Sequence, residues 1–189
     1  MKRIEQTILV VTFLAFSWFA MQAVHELGHV IGAFLTKAEV TKVALHPCII
    51  SRTDLGHNPH PLLVVWAGPV IGSAIPLLAF LLAKVCRNSG VYLFRFFAGF
   101  CLIANGVYIA VGPTDGGADT GVMMQYGSPR WIMITFGLLS ASLGLYLWNR
   151  QGQYFGLGEA KGMVSRKATI ASAVLLVAIV GIELMTGSK

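Results

Sequence analysis

Five apolar stretches, each near the length that crosses a bilayer, constrain the fold of this chain more than any other feature. They occupy residues 8–35, 62–85, 92–111, 131–148 and 169–185 of the 189-residue sequence. A transmembrane helix needs about 20 predominantly apolar residues, because the hydrocarbon core is about 30 Å thick and a helix rises about 1.5 Å per residue. We therefore predict an all-α, polytopic membrane protein of about five transmembrane helices.

The composition agrees with a membrane protein and excludes an ordinary soluble domain. Hydrophobic residues make up 56% of the chain and charged residues only 12%, and the mean hydropathy is +0.71. No basic and aromatic stripe accompanies the net charge of +6, so we expect no nucleic-acid partner. The three cysteines include no C-x-x-C pair and predict no disulfide framework.

The basic residues act as orientation signals and favour a cytoplasmic amino terminus by a modest margin. That orientation puts nine of them on the cytoplasmic side: Lys2, Arg3, Lys84, Arg87, Arg95, Arg150, Lys161, Arg166 and Lys167. It puts five on the other side: Lys37, Lys42, Arg52, Arg130 and Lys189.

The second half of the first apolar stretch carries the sequence His25-Glu26-Leu27-Gly28-His29. On a helix, residues four apart project from one face, so both imidazoles can reach one tetrahedral Zn²⁺ at about 2.0–2.1 Å. In this H-E-x-x-H pattern the glutamate lies beside the metal and accepts a proton from water, which then attacks a peptide carbonyl. The pattern predicts a zinc site with His25 and His29 as ligands and Glu26 as catalytic base.

The same pattern has a simpler explanation, in which the three polar residues only cap or pair at a membrane interface. A pattern of five residues with three fixed positions also occurs by chance. Ionisable groups are expensive inside apolar spans, however, so three of them in five positions require a metal, a partner or water. This setting favours the metal site.

A catalytic zinc site needs a third protein ligand, because the fourth position stays open for water. The glycine-rich segment after the third stretch offers Asp115 and Asp119, and we expect Pro113 to end the preceding helix. Asp119 comes directly before apolar residues that would start a buried helix, which favours it over Asp115 as the ligand. The other aspartate would then orient a ligand or cap a helix.

The polar loop at residues 36–61 separates the first two stretches and has alternating β-branched residues near its start. It predicts a short strand or β-hairpin followed by an irregular, proline-containing loop. Four of its side chains are of types that bind zinc: His46, Cys48, His57 and His60. Their spacing fits no zinc finger. We expect the loop instead to lie over the active site or to offer an edge strand to an extended substrate.

Three blocks of this sequence resemble the site-2 protease family of intramembrane zinc metalloproteases, in particular its small bacterial-type branch. The pentad 25–29 matches the family's zinc motif, and Ala67-Gly68-Pro69 resembles its Gly-Pro block. Residues 105–119 resemble the block that supplies the third ligand, although Asn105 stands farther upstream than is usual. Within this block, residues 113–117 match the family's Pro-x-Asp-Gly-Gly motif, whereas residues 117–120 resemble the Gly-Ser-Asp motif of the small branch.

The resemblance implies a zinc metalloendopeptidase that hydrolyses peptide bonds in or near transmembrane segments of membrane-protein substrates. It implies that Asn105 positions substrate or a backbone group near the metal, and that Gly68 and Pro69 shape the helix that closes the site. An asparagine in an apolar span is explained equally well as a hydrogen-bonding contact between helices. The family's active site usually opens toward the cytosol, whereas the charge count puts the motif on the outer side.

We expect three parts in this chain. Residues 1–148 would form a membrane-embedded metalloprotease core of about four spans, and residues 149–168 a Gly-rich connection typical of a flexible, solvent-exposed link. Residues 169–189 would form an accessory C-terminal transmembrane helix. The expected location is the cell (inner) membrane, with the lipid bilayer and membrane-protein substrates as partners and Zn²⁺ as cofactor.

Two other functions remain open: a non-proteolytic metal-binding membrane protein and a transporter-like helix bundle. Glu26 has no obvious role in simple metal storage, which argues against the first. The ionisable residues cluster near one membrane side and are not distributed along a path through several spans, which argues against the second.

Overall fold

The computed structural model describes residues 2–115 and 118–187, with the side chain of Asp115 left outside the description. Within these residues the chain forms helices joined by short connections, with a β-hairpin after the first helix. The elements are α1 Lys2–Thr36, β1 Val40–Ala44, β2 Arg52–Leu55, α2 Pro61–Val85, α3 Val91–Asp115, α4 Ala118–Gln125, α5 Arg130–Trp148 and α6 Arg166–Gly187.

Helices α1, α2, α3, α5 and α6 are long and apolar enough to cross a membrane. Each contains one of the five predicted stretches, so the prediction of an all-α polytopic fold is confirmed. Helix α1 has 35 residues and is therefore about 52 Å long, which exceeds the roughly 30 Å of the hydrocarbon core. Its excess length lets the motif pentad lie well inside the helix.

Helix α3 ends later than the sequence predicts. Pro113 lies inside α3, which continues to Asp115, so the prediction that Pro113 ends this helix is wrong. A proline removes its own N–H donor and disturbs the carbonyl four residues earlier. Both effects act on the turn before Pro113, and the two residues after it can keep helical backbone angles.

The predicted hairpin between the first two spans is confirmed. Strands β1 and β2 are antiparallel, with Val43 opposite Thr53 and Ala44 opposite Arg52. The backbone N–H of Ser51, just before β2, donates to Gln22 Oε1 at 3.3 Å. Since Gln22 lies about 21 Å before the end of α1 at about 1.5 Å per residue, the hairpin folds back along the helix that precedes it.

The long helices pack side by side in the order α6, α1, α2, α3, α5. Helix α1 contacts α2 and α6, and α3 contacts α2 and α5. Thr12 Oγ1 and Ser172 Oγ lie 2.7 Å apart between α1 and α6, and α6 also contacts β1. Short helix α4 packs on α2 and α3, and its Met123 is buried with Val65 and Ile109. This packing brings α2, α3 and α4 to the second half of α1.

The Gly-rich connection 149–168 differs from the exposed link expected of its composition. It contains two short 3₁₀ turns, Gly152–Phe155 and Gly158–Ala160, and Phe155 is buried against Leu9 and Phe13 of α1. The Gln6 side chain donates to the carbonyls of Phe155 and Gly156 at 3.0 and 2.9 Å. The expectation of solvent exposure is therefore wrong for this part of the connection, which packs on the amino-terminal half of α1.

Candidate metal centre

The two histidines of the motif lie on one face of α1 and point into the helix bundle. His25 and His29 are 8% and 6% exposed, and their ring centroids are 4.8 Å apart. Their Nε2 atoms lie 3.1 Å from each other. The one-turn spacing therefore converges both imidazoles on one point, as the pattern predicts.

Asp119, in the first turn of α4, completes a group that could hold a metal ion. Its Oδ2 lies 2.9 Å from His25 Nε2 and 3.5 Å from His29 Nε2. Ligand atoms at about 2.0–2.1 Å from a tetrahedral ion are about 3.3 Å from one another. The three observed separations, including the 3.1 Å between the Nε2 atoms, lie on either side of that value.

The hydrogen bonds at the far side of each imidazole determine which nitrogen carries the proton. His25 Nδ1 faces Asn105 Oδ1 at 2.6 Å, and His29 Nδ1 faces the carbonyl of Val64 at 3.0 Å. Both partners are acceptors, so each Nδ1 must donate. In the neutral rings each Nε2 then has a lone pair, as a metal ligand requires.

This arrangement points three acceptors at one another. Two Nε2 lone pairs and the Asp119 carboxylate oxygen converge within 3.5 Å, which is unfavourable unless a cation lies between them. A proton on one imidazole can meet this need in part. A divalent ion coordinated by all three groups meets it fully, with both Nδ1–H bonds kept.

The orientation of Asn105 follows from its own hydrogen bonds. Its Nδ2 donates to the carbonyl of Cys101 at 2.9 Å, which leaves Oδ1 to accept from His25. Asn105 is 1% exposed and connects α3 to α1, as expected of an interhelical contact. That it positions substrate stays a prediction.

Close approach of α1 and α2 depends on glycine at the site. A Cβ on Gly68 would contact the His29 ring and lie 2.9 Å from His25 Nε2. A Cβ on Gly28 would lie 2.5 Å from the carbonyl oxygen of Ala67. The Gly-Pro block thus lies directly against the imidazoles, with Pro69 buried inside α2. Any larger residue at position 68 would displace the histidines.

Glu26 is held by the hairpin. Ser51 Oγ donates to Glu26 Oε1 at 2.9 Å, and Thr53 Oγ1 donates to Oε2 at 2.7 Å. Glu26 is 4% exposed, so these hydroxyls compensate a carboxylate that burial would otherwise destabilise. The loop between α1 and α2 therefore lies against the motif helix, as predicted.

The electrostatics of Asp119 suit a ligand. Burial alone would raise the pKa of Asp119, but hydrogen bonding and electrostatic attraction from His25 and His29 outweigh it and hold the pKa well below its usual value. A carboxylate at the amino end of a helix is also favoured by the helix dipole. Asp119 therefore stays ionised, as metal binding requires.

Sequence reasoning missed three side chains of this centre: Ser51, Thr53 and Tyr108. The Tyr108 hydroxyl accepts from the Asp119 backbone N–H at 3.2 Å, and its ring centroid lies 6.0 Å from that of His25. Tyr108 follows Asn105 by one helical turn, so the shared face of α3 was the available signal. For the two hydroxyls, local sequence holds no such signal, because their contacts with Glu26 depend on how the hairpin folds back along α1.

The remaining candidate ligands are the four loop side chains and Asp115. Among residues 2–115 and 118–187, the loop side chains His46, Cys48, His57 and His60 form no group that could hold a metal. The Asp115 side chain lies outside the described part of the chain. Among the described side chains, Asp119 is the predicted aspartate that lies against the histidines.

The centre combines two imidazoles and a carboxylate, drawn from α1 and α4, with hydrogen-bonding support from α2, α3 and the hairpin. Such a group can bind a divalent cation and places a second carboxylate, that of Glu26, next to His25 in the chain. Comparisons of this chain with protein-family models, with curated proteins and with solved structures found no match.

Proposed function

We propose that this chain is an intramembrane zinc metalloprotease that hydrolyses peptide bonds in or near transmembrane segments of other membrane proteins. One observation carries the proposal. The Nε2 atoms of His25 and His29 and the Asp119 carboxylate converge at 2.9–3.5 Å, while both Nδ1 atoms face acceptors. This is the coordination expected of a catalytic zinc site, which has three protein ligands and one further position for water or substrate.

Zinc is favoured because two of the three ligands, His25 and His29, belong to an H-E-x-x-H sequence on a helix. A bound zinc ion would lower the pKa of water to about 7 and polarise the substrate carbonyl. His25, His29 and Asp119 would hold the ion, and Asn105 and the Val64 carbonyl would fix the two rings through Nδ1. Metal storage alone would not need Glu26 beside these ligands.

Glu26 is the proposed general base. Its carboxylate takes one proton from the attacking water as the water oxygen bonds to the carbonyl carbon. Glu26 then gives that proton to the amide nitrogen as the C–N bond breaks, so the glutamate ends the cycle unprotonated. The second water proton stays with the new carboxyl group or passes to solvent, which balances the hydrolysis.

The class of substrate is inferred from the position of the metal centre among the helices. Its ligands and supporting groups belong mainly to helices that are apolar enough to cross a membrane, which favours substrates that share this environment. A transmembrane helix hides its carbonyls in hydrogen bonds, so a substrate must unwind locally before water can attack. We infer that cleavage favours segments with glycine or proline near the cut site. On the resemblance of its motifs, we place the protein in the cell (inner) membrane.

The proposal is tested by comparing the new protein amino termini that arise in membranes of a bacterial host expressing the parent or Glu26→Gln. Glu26→Gln keeps the size of the side chain and removes the base. We expect amino termini within or beside apolar segments in the parent sample that are absent with the variant. Mass spectrometry of labelled amino termini provides the measurement.

Equal sets of amino termini from parent and variant, at equal expression and with zinc bound to both, would contradict proteolysis. That result would favour a non-proteolytic metal-binding membrane protein. A protein that folds but binds no metal would instead favour the transporter-like helix bundle.

A further inference from the structure

The hairpin places two hydroxyls on the side chain proposed to act as the base. Ser51 precedes β2 and Thr53 lies within it, so the two are separated by one residue and face the same side of the strand. Each donates to a different oxygen of Glu26, at 2.9 and 2.7 Å. The backbone N–H of Ser51 also donates to Gln22, one turn before Glu26. The strand is thereby fixed along the motif helix at this position.

The opposite face of β2 is turned away from the centre. Arg52 Nε donates to Asp54 Oδ1 at 3.1 Å, and these side chains are 62% and 42% exposed. Thr41 on β1 bonds the carbonyl of Asp54 and is also exposed. Ser51 and Thr53 therefore contact Glu26, whereas Thr41, Arg52 and Asp54 make their hydrogen bonds within the hairpin.

Two donors on one carboxylate restrict its rotation without exhausting its acceptors. The glutamate side chain has three rotatable bonds, and each carboxylate oxygen has two lone pairs. Hydrogen bonds to a charged acceptor are the stronger kind, and here each oxygen receives one. One lone pair on each oxygen is left to accept a proton from water. Without these donors, nothing in the hairpin would offset the cost of burying the Glu26 charge or hold the carboxylate in one orientation.

We propose that Ser51 and Thr53 are positioning residues, which orient the Glu26 carboxylate for proton transfer from the attacking water. This inference rests on the proposed proteolysis and adds that the hairpin, and not α1 alone, sets the geometry of the base. Metal binding is separate, because neither hydroxyl is among the groups bonded to His25, His29 or Asp119 in the contacts described above.

The test compares Ser51→Ala, Thr53→Val and the double variant with the parent. The conservative variants Ser51→Thr and Thr53→Ser keep a hydroxyl, and Thr41→Val is the matched control on the other strand. Each protein is reconstituted in phosphatidylcholine vesicles with a fluorogenic single-span reporter that carries a Gly-Gly pair in its apolar segment. Bound zinc, kcat and KM are measured for each.

General-base catalysis contributes about 10²–10⁴-fold, so we expect kcat to fall about tenfold in each single variant and about a hundredfold in the double variant. Zinc content and KM should stay within about twofold of the parent, because ligands and substrate contacts are unchanged. Ser51→Thr, Thr53→Ser and Thr41→Val should keep most of the parent kcat.

Two results would overturn the positioning role while leaving the proteolysis intact. An active parent whose hydroxyl variants keep full kcat would show that Glu26 needs no such support. Loss of zinc together with kcat would show that the hydroxyls only support the fold. Failure of the proposed function looks different, since the parent and Thr41→Val would then both fail to cleave the reporter.

Discussion

Asn105 Oδ1 on α3 lies 2.6 Å from His25 Nδ1 on α1, and this bond sets the protonation of the imidazole. The Asn105 amide nitrogen is already committed to the Cys101 carbonyl. Because the facing oxygen can only accept, Nδ1 carries the hydrogen and Nε2 presents its lone pair toward Asp119. A buried asparagine in an apolar span thus turns the Nε2 lone pair of a histidine two helices away in the chain toward Asp119.

Asn105→Leu should weaken zinc binding by about 10–100-fold, the usual effect of removing the partner that orients a histidine ligand. The variant leaves the His25 Nδ1–H without its acceptor, so the ring can rotate or change tautomer. Competition with a fluorescent chelator measures the affinity. Asn105→Asp is the control, because its carboxylate still accepts from Nδ1 and should keep most of the zinc. Equal zinc affinities of Asn105→Leu and the parent would show that Asn105 does not support metal binding.

Gly68→Ala should displace the histidines and reduce zinc affinity. The added Cβ would contact the His29 ring and lie 2.9 Å from His25 Nε2, and overpacking of this kind costs about 1–3 kcal/mol. If this free-energy cost arises only in the zinc-bound protein, zinc affinity falls about 5- to 150-fold, because about 1.4 kcal/mol corresponds to a tenfold change.

The control for that variant is Gly181→Ala on α6, where a Cβ meets nothing within 4 Å. It should keep both zinc and stability, since alanine is the better helix former. A Gly68→Ala protein with parental zinc affinity would show that α2 can move away from the motif at little cost.

Zinc affinity should fall as the pH is lowered, and the histidines should account for all of the change. An imidazole nitrogen must be unprotonated to bind a metal, so protons compete with zinc for the two Nε2 atoms and the dissociation constant rises by up to about a hundredfold per pH unit as the pH falls. The pKa of Asp119 is held below its usual value, so this carboxylate stays ionised over the same range and takes up no proton. Chelator competition between about pH 5.5 and 7.5 measures the slope. A slope of three protons would mean that Asp119 also titrates.

Much of the fold could be predicted because apolar length alone determines where a helix can cross a bilayer. The fourth predicted stretch, 131–148, differs from α5 at Arg130–Trp148 by one residue. His25 and His29 were also predictable, because helical periodicity places residues four apart on one face. Asp119 could be favoured over Asp115 from local sequence, since it begins the apolar helix α4.

The rest depends on contacts between segments distant in the sequence. A loop over the site was one expected arrangement, but nothing in residues 36–61 says which of its side chains face α1, so the bonds from Ser51 and Thr53 to Glu26 could not be foreseen. The Gly-rich composition of 149–168 suggested an exposed link, yet Phe155 and the carbonyls near it have partners on α1. Composition reports average behaviour, whereas the packing of this segment depends on individual contacts such as those of Phe155 and Gln6.

On the proposed function, His25, His29 and Asp119 hold a catalytic zinc ion. Metal content of detergent-purified protein tests it most directly, by inductively coupled plasma mass spectrometry of the parent and of single variants. The variants are His25→Ala, Asp119→Ala, Asp115→Ala and Glu26→Gln. Iron and other divalent metals are measured in the same samples, because two histidines and a carboxylate also suit iron.

We expect near-stoichiometric zinc in the parent, in Asp115→Ala and in Glu26→Gln, and loss of zinc in His25→Ala and Asp119→Ala. Retention by Glu26→Gln would separate the proposed base from the ligands. Well-folded parent protein that holds no zinc after reconstitution, or that loses it with Asp115→Ala and not with Asp119→Ala, would contradict the claim.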